Sequence, residues 1–176
     1  MAAGGWEAVV MWPRHRLEDP VAVDGIDAAD GAPFRRVLVP VESLSQSASA
    51  LSLAARIGAA TAGKLRLVHV RSWDPPMPRG GGRFYPESSE EATAILEAAM
   101  TFAWSRGVEA SGVVVEAQSS SMGMAILAES AGWGADVIVL PSRPRRWLGL
   151  GLWEKAARQI ERRAVCPVLL VYPGRT

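Results

Sequence analysis

The sequence predicts an α/β protein of three layers, in which a five-stranded parallel sheet lies between helices, and three observations carry that prediction. Five short apolar runs rich in β-branched residues recur after residue 33. Four stretches with apolar residues at helical spacing alternate with them. The runs are apolar throughout, with no in-out alternation, as strands buried on both faces of a parallel sheet must be.

The first strand is read in Arg35–Val41 (RRVLVPV), after Pro33. A helix follows, with Ala48, Leu51, Ala54, Ala55 and Ile57 at helical spacing, Ser43 or Ser45 as N-cap and Gly63 as its stop. Leu65–Val70 (LRLVHV) is the second strand, which completes a right-handed βαβ unit. Residues 71–87 hold four prolines and a glycine triplet and read as an irregular loop. Ser88 and Glu91 form a capping box for a helix running through Ile95, Ala98, Ala99 and Phe102 to Gly107.

A third strand centres on Val113–Val115, and the serines of 119–121 offer an N-cap to the helix that ends at Gly134. Val137–Leu140 is a fourth strand. After the loop RPRRWLGLGL comes an amphipathic helix with Trp153, Ala156, Ala157, Ile160 and Ala164 on one face; CPVLLVY is the fifth strand. A parallel sheet of this kind places its ligand cleft beyond the strand carboxyl ends, where the strand order reverses.

The domain is expected to span residues 34–176, preceded by an arm, residues 1–33, that shows neither helical nor strand periodicity and is partly disordered or docked. At 176 residues and 49% hydrophobic content the chain suits one domain. Its net charge of +1 gives no general attraction to nucleic acid or anionic membrane, so neither is expected as a partner. The single cysteine, Cys166, excludes an intramolecular disulfide and fits a reducing cytoplasm. No apolar run reaches membrane-spanning length, and no signal peptide is read at the N-terminus.

Four stretches, RRVLVPVES, LRLVHV, GADVIVLPSR and AVCPVLLVY, resemble the universal stress protein family in content, order and spacing. The likeness covers residues 34–173 and leaves the arm outside it. It implies an adenine nucleotide alpha hydrolase-like fold with strand order 3-2-1-4-5, a homodimer through the C-terminal strand, and a cleft that binds ATP in one branch of the family. That branch carries a glycine, two residues, a second glycine, nine residues, then glycine and serine or threonine. Here Pro141, Pro144, Glu154 and Lys155 stand at those positions. Proline has no N–H to offer a phosphate, and a carboxylate repels one at a helix N-terminus.

The resemblance marks Val41, Glu42, Val70, Ser142 and Arg143 as cleft positions. Glu42 stands where the family has an aspartate near the nucleotide base, and Val70 where an apolar side chain meets adenine. Each has a plainer reading, Glu42 as a turn or cap residue and Val70 as core. Ser142 and Arg143, with Arg145 and Arg146, make a basic loop that suits a bound anion or simply solvent, and Trp147 beside them can anchor a protein partner. His69, in an apolar strand, and His15 lack a second ligand at metal spacing and are read as structural. Cys166 reads as a buried small apolar residue.

The expectation is therefore a non-enzymatic stress-response or regulatory binding module, homodimeric, with no cofactor. The alternative is a weak ATP-binding or ATP-hydrolysing protein that uses Arg143, Arg145, Arg146 and Lys155 in place of glycine amides. Nucleic-acid binding through the arginine loop ranks below both.

Overall fold

A computed structural model describes residues 7–11, 34–75, 82–142 and 151–172. Six strands and four helices follow in the order β1 (Glu7–Met11), β2 (Arg36–Pro40), α1 (Leu44–Thr61), β3 (Lys64–Trp73), α2 (Ser89–Trp104), β4 (Glu109–Gln118), α3 (Met122–Trp133), β5 (Val137–Pro141), α4 (Leu152–Arg163) and β6 (Val168–Tyr172). The sheet order is β1-β6-β5-β2-β3-β4. Strands β2 to β6 are parallel and reproduce the predicted alternation and the implied order. Arg143, Pro144, Arg145, Arg146, Trp147 and His15, for which roles are expected from the sequence, lie outside the described residues.

The sixth strand was not expected. β1 comes from the arm and pairs antiparallel with β6, from Glu7 opposite Tyr172 to Met11 opposite Val168. The arm's five-residue run EAVVM is too short to show a period among its Gly, Pro and Asp neighbours, and only a sheet edge gives it a partner. The edge at which the family resemblance implies a second copy is thus paired, in this chain, with β1.

Each central strand divides its side chains between two cores, as its fully apolar composition requires. Val37, Val39, Val41, Leu65, Leu67, Val137, Val139, Leu169 and Val171 pack with α1 and α2. Leu38, Val68, Val70, Ile138, Leu140, Val168 and Leu170 pack with α3 and α4. Two predicted helix faces are turned by one residue. In α1 the buried residue is Ser47, not Ala48, because the Ser47 hydroxyl accepts from the Glu42 N–H at 3.1 Å. In α2 the buried stripe is Ala92, Leu96, Ala99 and Ala103, with Ile95 and Phe102 on its flank.

The caps were partly foreseen. Ser43 caps α1, and Ser88 with Glu91 forms the reciprocal box of α2, with bonds of 3.1 and 2.8 Å. The left-handed residue after α1 is Ala62 (φ 51°), not Gly63. Gly63 is required for another reason: a Cβ there would lie 2.8 Å from the Arg35 carbonyl oxygen. Residues Ser119–Ser121 form a 3-10 turn before α3, and Ser121 makes no side-chain cap bond, contrary to the expected serine cap. β3 also outruns its predicted end: Arg71, Ser72 and Trp73 pair with Glu116, Ala117 and Gln118. Their polarity hid this extension, which belongs to a two-stranded lip beyond the buried sheet.

Candidate functional site

In the order of the parallel strands, β2 leads outward to β3 on one side and β5 flanks it on the other, so the order reverses between β2 and β5. The candidate site is the crevice at the carboxyl ends of these two strands. Its floor is almost fully hydrogen-bonded within the protein. Val41 donates its N–H to the Val68 carbonyl at 2.8 Å, and its own carbonyl accepts from His69 Nδ1 at 2.8 Å. Glu42 spends its N–H on Ser47. At the end of β5, Pro141 has no N–H, and Ser142 donates its N–H to the Val171 carbonyl at 2.8 Å.

The Pro141 carbonyl faces the indole N–H of Trp153 at 3.5 Å, and Trp153 is buried. That indole sits in the first turn of α4, whose N-cap is Gly151. The next residue, Glu154, places its carboxylate at the positive end of the helix dipole and pairs with Arg158 at 3.6 Å. The helix N-terminus facing the crevice therefore carries its own anion.

A strap, residues 82–88, is held to the β3-β4 lip. His69, 4% exposed, reaches it with Nε2 at 2.7 Å from a Glu87 carboxylate oxygen. Arg71 donates to the Glu87 carbonyl at 3.1 Å and to Glu116 at 2.8 Å, with its guanidinium over the Tyr85 ring. The Tyr85 hydroxyl donates to the second Glu116 oxygen at 2.9 Å. Arg83 stacks on Trp73, and Asp74 and Phe84 exchange backbone hydrogen bonds of 3.0 and 3.1 Å. Glu116 is held below its ordinary carboxylate range, first by the Tyr85 hydroxyl and, against the opposing effect of burial, by Arg71 and Arg83.

The model described as "Universal stress protein family" matches residues 33–172. The chain belongs to that family. Among solved structures, a universal stress protein from Archaeoglobus fulgidus shares 22% identity, with a TM-score of 0.63 over 78% of this chain and 98% of that one. The A. fulgidus universal stress protein in complex with dAMP gives 21%, a TM-score of 0.59 and coverage of 78% and 98%. A universal stress protein family protein from Arabidopsis thaliana with AMP bound gives 16%, 0.51, and 79% and 92%. At these identities the structures establish the shared fold. No curated protein matches.

Within this universal stress protein, the structure gathers Glu42 and Ser142 at the crevice mouth, both half-buried. Val41 and Val70 do not line it with side chains. Val41 is 2% exposed in the α1-α2 core and Val70 is 7% exposed in the α3-α4 core. Their alternate positions on two-faced strands explain this, and the plainer reading of Val70 as core holds. Cys166 is buried near Ser130, and burial pushes its thiol up from the ordinary range, as an inert core residue requires.

The residue that sequence reasoning undervalued is His69. Its neighbours Val68 and Val70 face the α3-α4 core, so His69 points to the other side of the sheet, toward the start of α2. Glu87, directly before the capping Ser88, was the available signal, since the box fixes where residue 87 must lie. A second concavity, of about 460 Å³, opens at the opposite, amino-terminal ends of the strands, between Arg35, Arg36, Lys64, Glu109 and Trp133. Its cations are largely committed: Lys64 pairs with Glu109 at 2.9 Å, and Arg36 stacks on Trp133 and donates to its carbonyl. The crevice at the topological switch remains the better candidate.

Proposed function

We propose that this universal stress protein is a non-catalytic regulatory binding module that does not depend on ATP. The observation that carries this reading is the end of β5. Pro141 removes one amide from the crevice and the bond from Ser142 to Val171 withdraws the next, so the strand end offers no N–H to a phosphate. Glu154 then adds negative charge where a phosphate would need the α4 N-terminus. The fold is kept while the phosphate-binding chemistry of the strand end is lost. This combination favours a protein that works through binding rather than through nucleotide turnover.

The structural neighbours in complex with dAMP and with AMP set the ligands to be tested. Purified protein is denatured and the supernatant assayed for nucleotide; the native protein is then melted with millimolar Mg-ATP, AMP and dAMP. A ligand present at about a hundred times its Kd stabilises by about 2.7 kcal/mol, a shift of several degrees for a chain of this size. The expected result is no released nucleotide and no shift with Mg-ATP. Co-purified ATP, or a shift that grows with Mg-ATP concentration, would reject the reading.

A further inference from the structure

At the amino-terminal ends of β2, β3 and β4, the end of the sheet opposite the crevice, the concavity of about 460 Å³ has the size of a small-molecule pocket. The sheet register builds one side of it. Arg36 stands opposite Lys64 and Lys64 opposite Glu109, so three charged residues lie in one row across neighbouring strands. Around this row stand Arg35, Ala62 and Trp133.

The lining holds three cations, Arg35, Arg36 and Lys64, against the single carboxylate of Glu109. Arg36 is spent: its guanidinium lies 4.9 Å from the centroid of the Trp133 ring and donates to the Trp133 carbonyl, at the carbonyl end of α3. Lys64 pairs with Glu109, but their side chains are 60% and 67% exposed, so the pair is weak and open to a second anion. Arg35 differs from both. Its backbone N–H donates to the Asp136 carboxylate at 2.8 Å, beside that of Arg36 at 3.0 Å, which fixes where the side chain starts. The guanidinium itself is exposed and has no hydrogen-bond or ion-pair partner among the described residues.

The backbone at this rim is strained. Among the described residues, Phe34 (φ 67°) and Ala62 (φ 51°) are the only non-glycine residues in the left-handed region. Phe34 directly precedes Arg35, and Ala62 lines the concavity. The two segments are tied together, since the Lys64 N–H donates to the Arg35 carbonyl at 2.7 Å and the Thr61 hydroxyl to the Phe34 carbonyl at 3.1 Å. Strain kept at two adjoining points of one rim, where glycine would relieve it, marks a shape maintained at the expense of stability, as at binding sites.

We propose that this concavity is a second ligand site, which takes a small carboxylate carried on a flat apolar body. Arg35 receives the carboxylate, because its planar fork matches two carboxylate oxygens, and Lys64 adds an ammonium donor from the neighbouring strand. Glu109 limits the charge that is welcome. It repels a dianion more than a monoanion, which favours a carboxylate over a phosphate. The half-buried indole of Trp133 and the exposed methyl of Ala62 supply the apolar contact for the body of the ligand. This inference is independent of what the crevice binds.

The test is a titration of the isotope-labelled full chain with naphthoate at constant ionic strength, followed by NMR of the backbone amides and the Trp133 indole. Naphthamide, of the same shape without the charge, and inorganic phosphate are the comparison probes. Saturable shifts are expected at Arg35, Arg36, Lys64 and Trp133 with low-millimolar naphthoate. Binding should be weaker by about tenfold or more for naphthamide, for phosphate, and for naphthoate with the Arg35→Gln protein, because each loses a charge-assisted or bidentate bond or the apolar contact. The Arg35 guanidinium bonds to no described residue, so Arg35→Gln should melt with the wild type. Arg35→Lys, which keeps the charge without the fork, is a second variant and should bind with intermediate affinity. Failure of naphthoate to saturate, equal affinity for naphthamide, tighter binding of phosphate, or unchanged binding in the folded Arg35→Gln protein would each overturn the proposal. Shifts confined to Glu42 and Ser142 at the crevice would overturn it equally.

Discussion

His69 lies between two acceptors, the Val41 carbonyl at 2.8 Å from Nδ1 and the Glu87 carboxylate at 2.7 Å from Nε2, with only 4% of its surface exposed. Nδ1 must donate to the carbonyl, so the contact between Nε2 and the carboxylate needs a proton between them. One proton thereby ties the end of β2, the middle of β3 and the last residues of the strap into one unit. His69→Leu would leave the partly buried Glu87 carboxylate and the Val41 carbonyl without their partner. The expected loss is about 1–3 kcal/mol per unsatisfied group, seen as a lower melting temperature and faster proteolysis within residues 82–88. Glu87→Gln, whose side-chain N–H can donate to an unprotonated Nε2, should lose less. Unchanged stability in the His69→Leu protein would show that the ring is a passive filler.

The Glu116 cluster makes the strap sensitive to acid. Glu116 is held low in the folded protein, chiefly by the Tyr85 hydroxyl, and it is unrestrained in the unfolded chain. Its stabilising effect is therefore fully present above the ordinary carboxylate range and is lost as pH falls through the lower, folded value. Trp73, beneath Arg83, is a natural reporter: its fluorescence should change in acid before the sheet unfolds. The Glu116→Gln protein should not show that early step. A wild-type profile with a single transition would argue against a separately titrating strap.

Ala62 adopts a left-handed conformation, φ 51° and ψ 36°, at the end of α1. An L-residue with a Cβ is strained there by about 1–2 kcal/mol, part of which glycine returns through its greater freedom when unfolded. Ala62→Gly should stabilise the protein by roughly 0.5–1 kcal/mol, measured as an upward shift of the urea midpoint at constant m-value. A downward shift would mean that the methyl group packs productively.

Gly123 marks the close approach of α3 and α4. A Cβ built there would lie 2.6 Å from the Ala156 carbonyl oxygen and 2.6 Å from Gln159 Oε1. Gln159 can swing away, but the carbonyl belongs to the helix backbone, so α4 must move. Gly123→Val should destabilise by about 1–3 kcal/mol or more through overpacking, and should disturb the start of α4 beside the crevice. Wild-type stability in this variant would show that the helices are loosely seated.

Much of the fold was legible because the central strands are uniformly apolar and each helix is punctuated. RVLVP, VIVLP and VLLVY could be nothing but buried strands, and Ser88 with Glu91 fixed the start of α2 to the residue. What escaped was set by partners distant in sequence. Arg71 to Trp73 looked like loop because their pairing with Glu116 to Gln118 lies beyond the buried sheet. Ser47 faces the core only because Glu42 offers an N–H to it. The β1 strand could not be read at all from EAVVM alone, since its reason is the free edge of a strand some 160 residues later. For the crevice, the loss of phosphate-binding glycines was visible as Pro141 and Glu154, while the use of the Ser142 amide by Val171 required the sheet register.

The most direct test of the central claim is a calorimetric titration of Mg-ATP into the purified full chain, beside a variant carrying Pro141→Gly, Pro144→Gly, Glu154→Gly and Lys155→Ser. No heat of binding is expected for the wild type at millimolar nucleotide, and measurable affinity is expected where the amides have been restored. Saturable binding of ATP by the wild type, with its phosphates in contact with residues 141–155, would contradict the account.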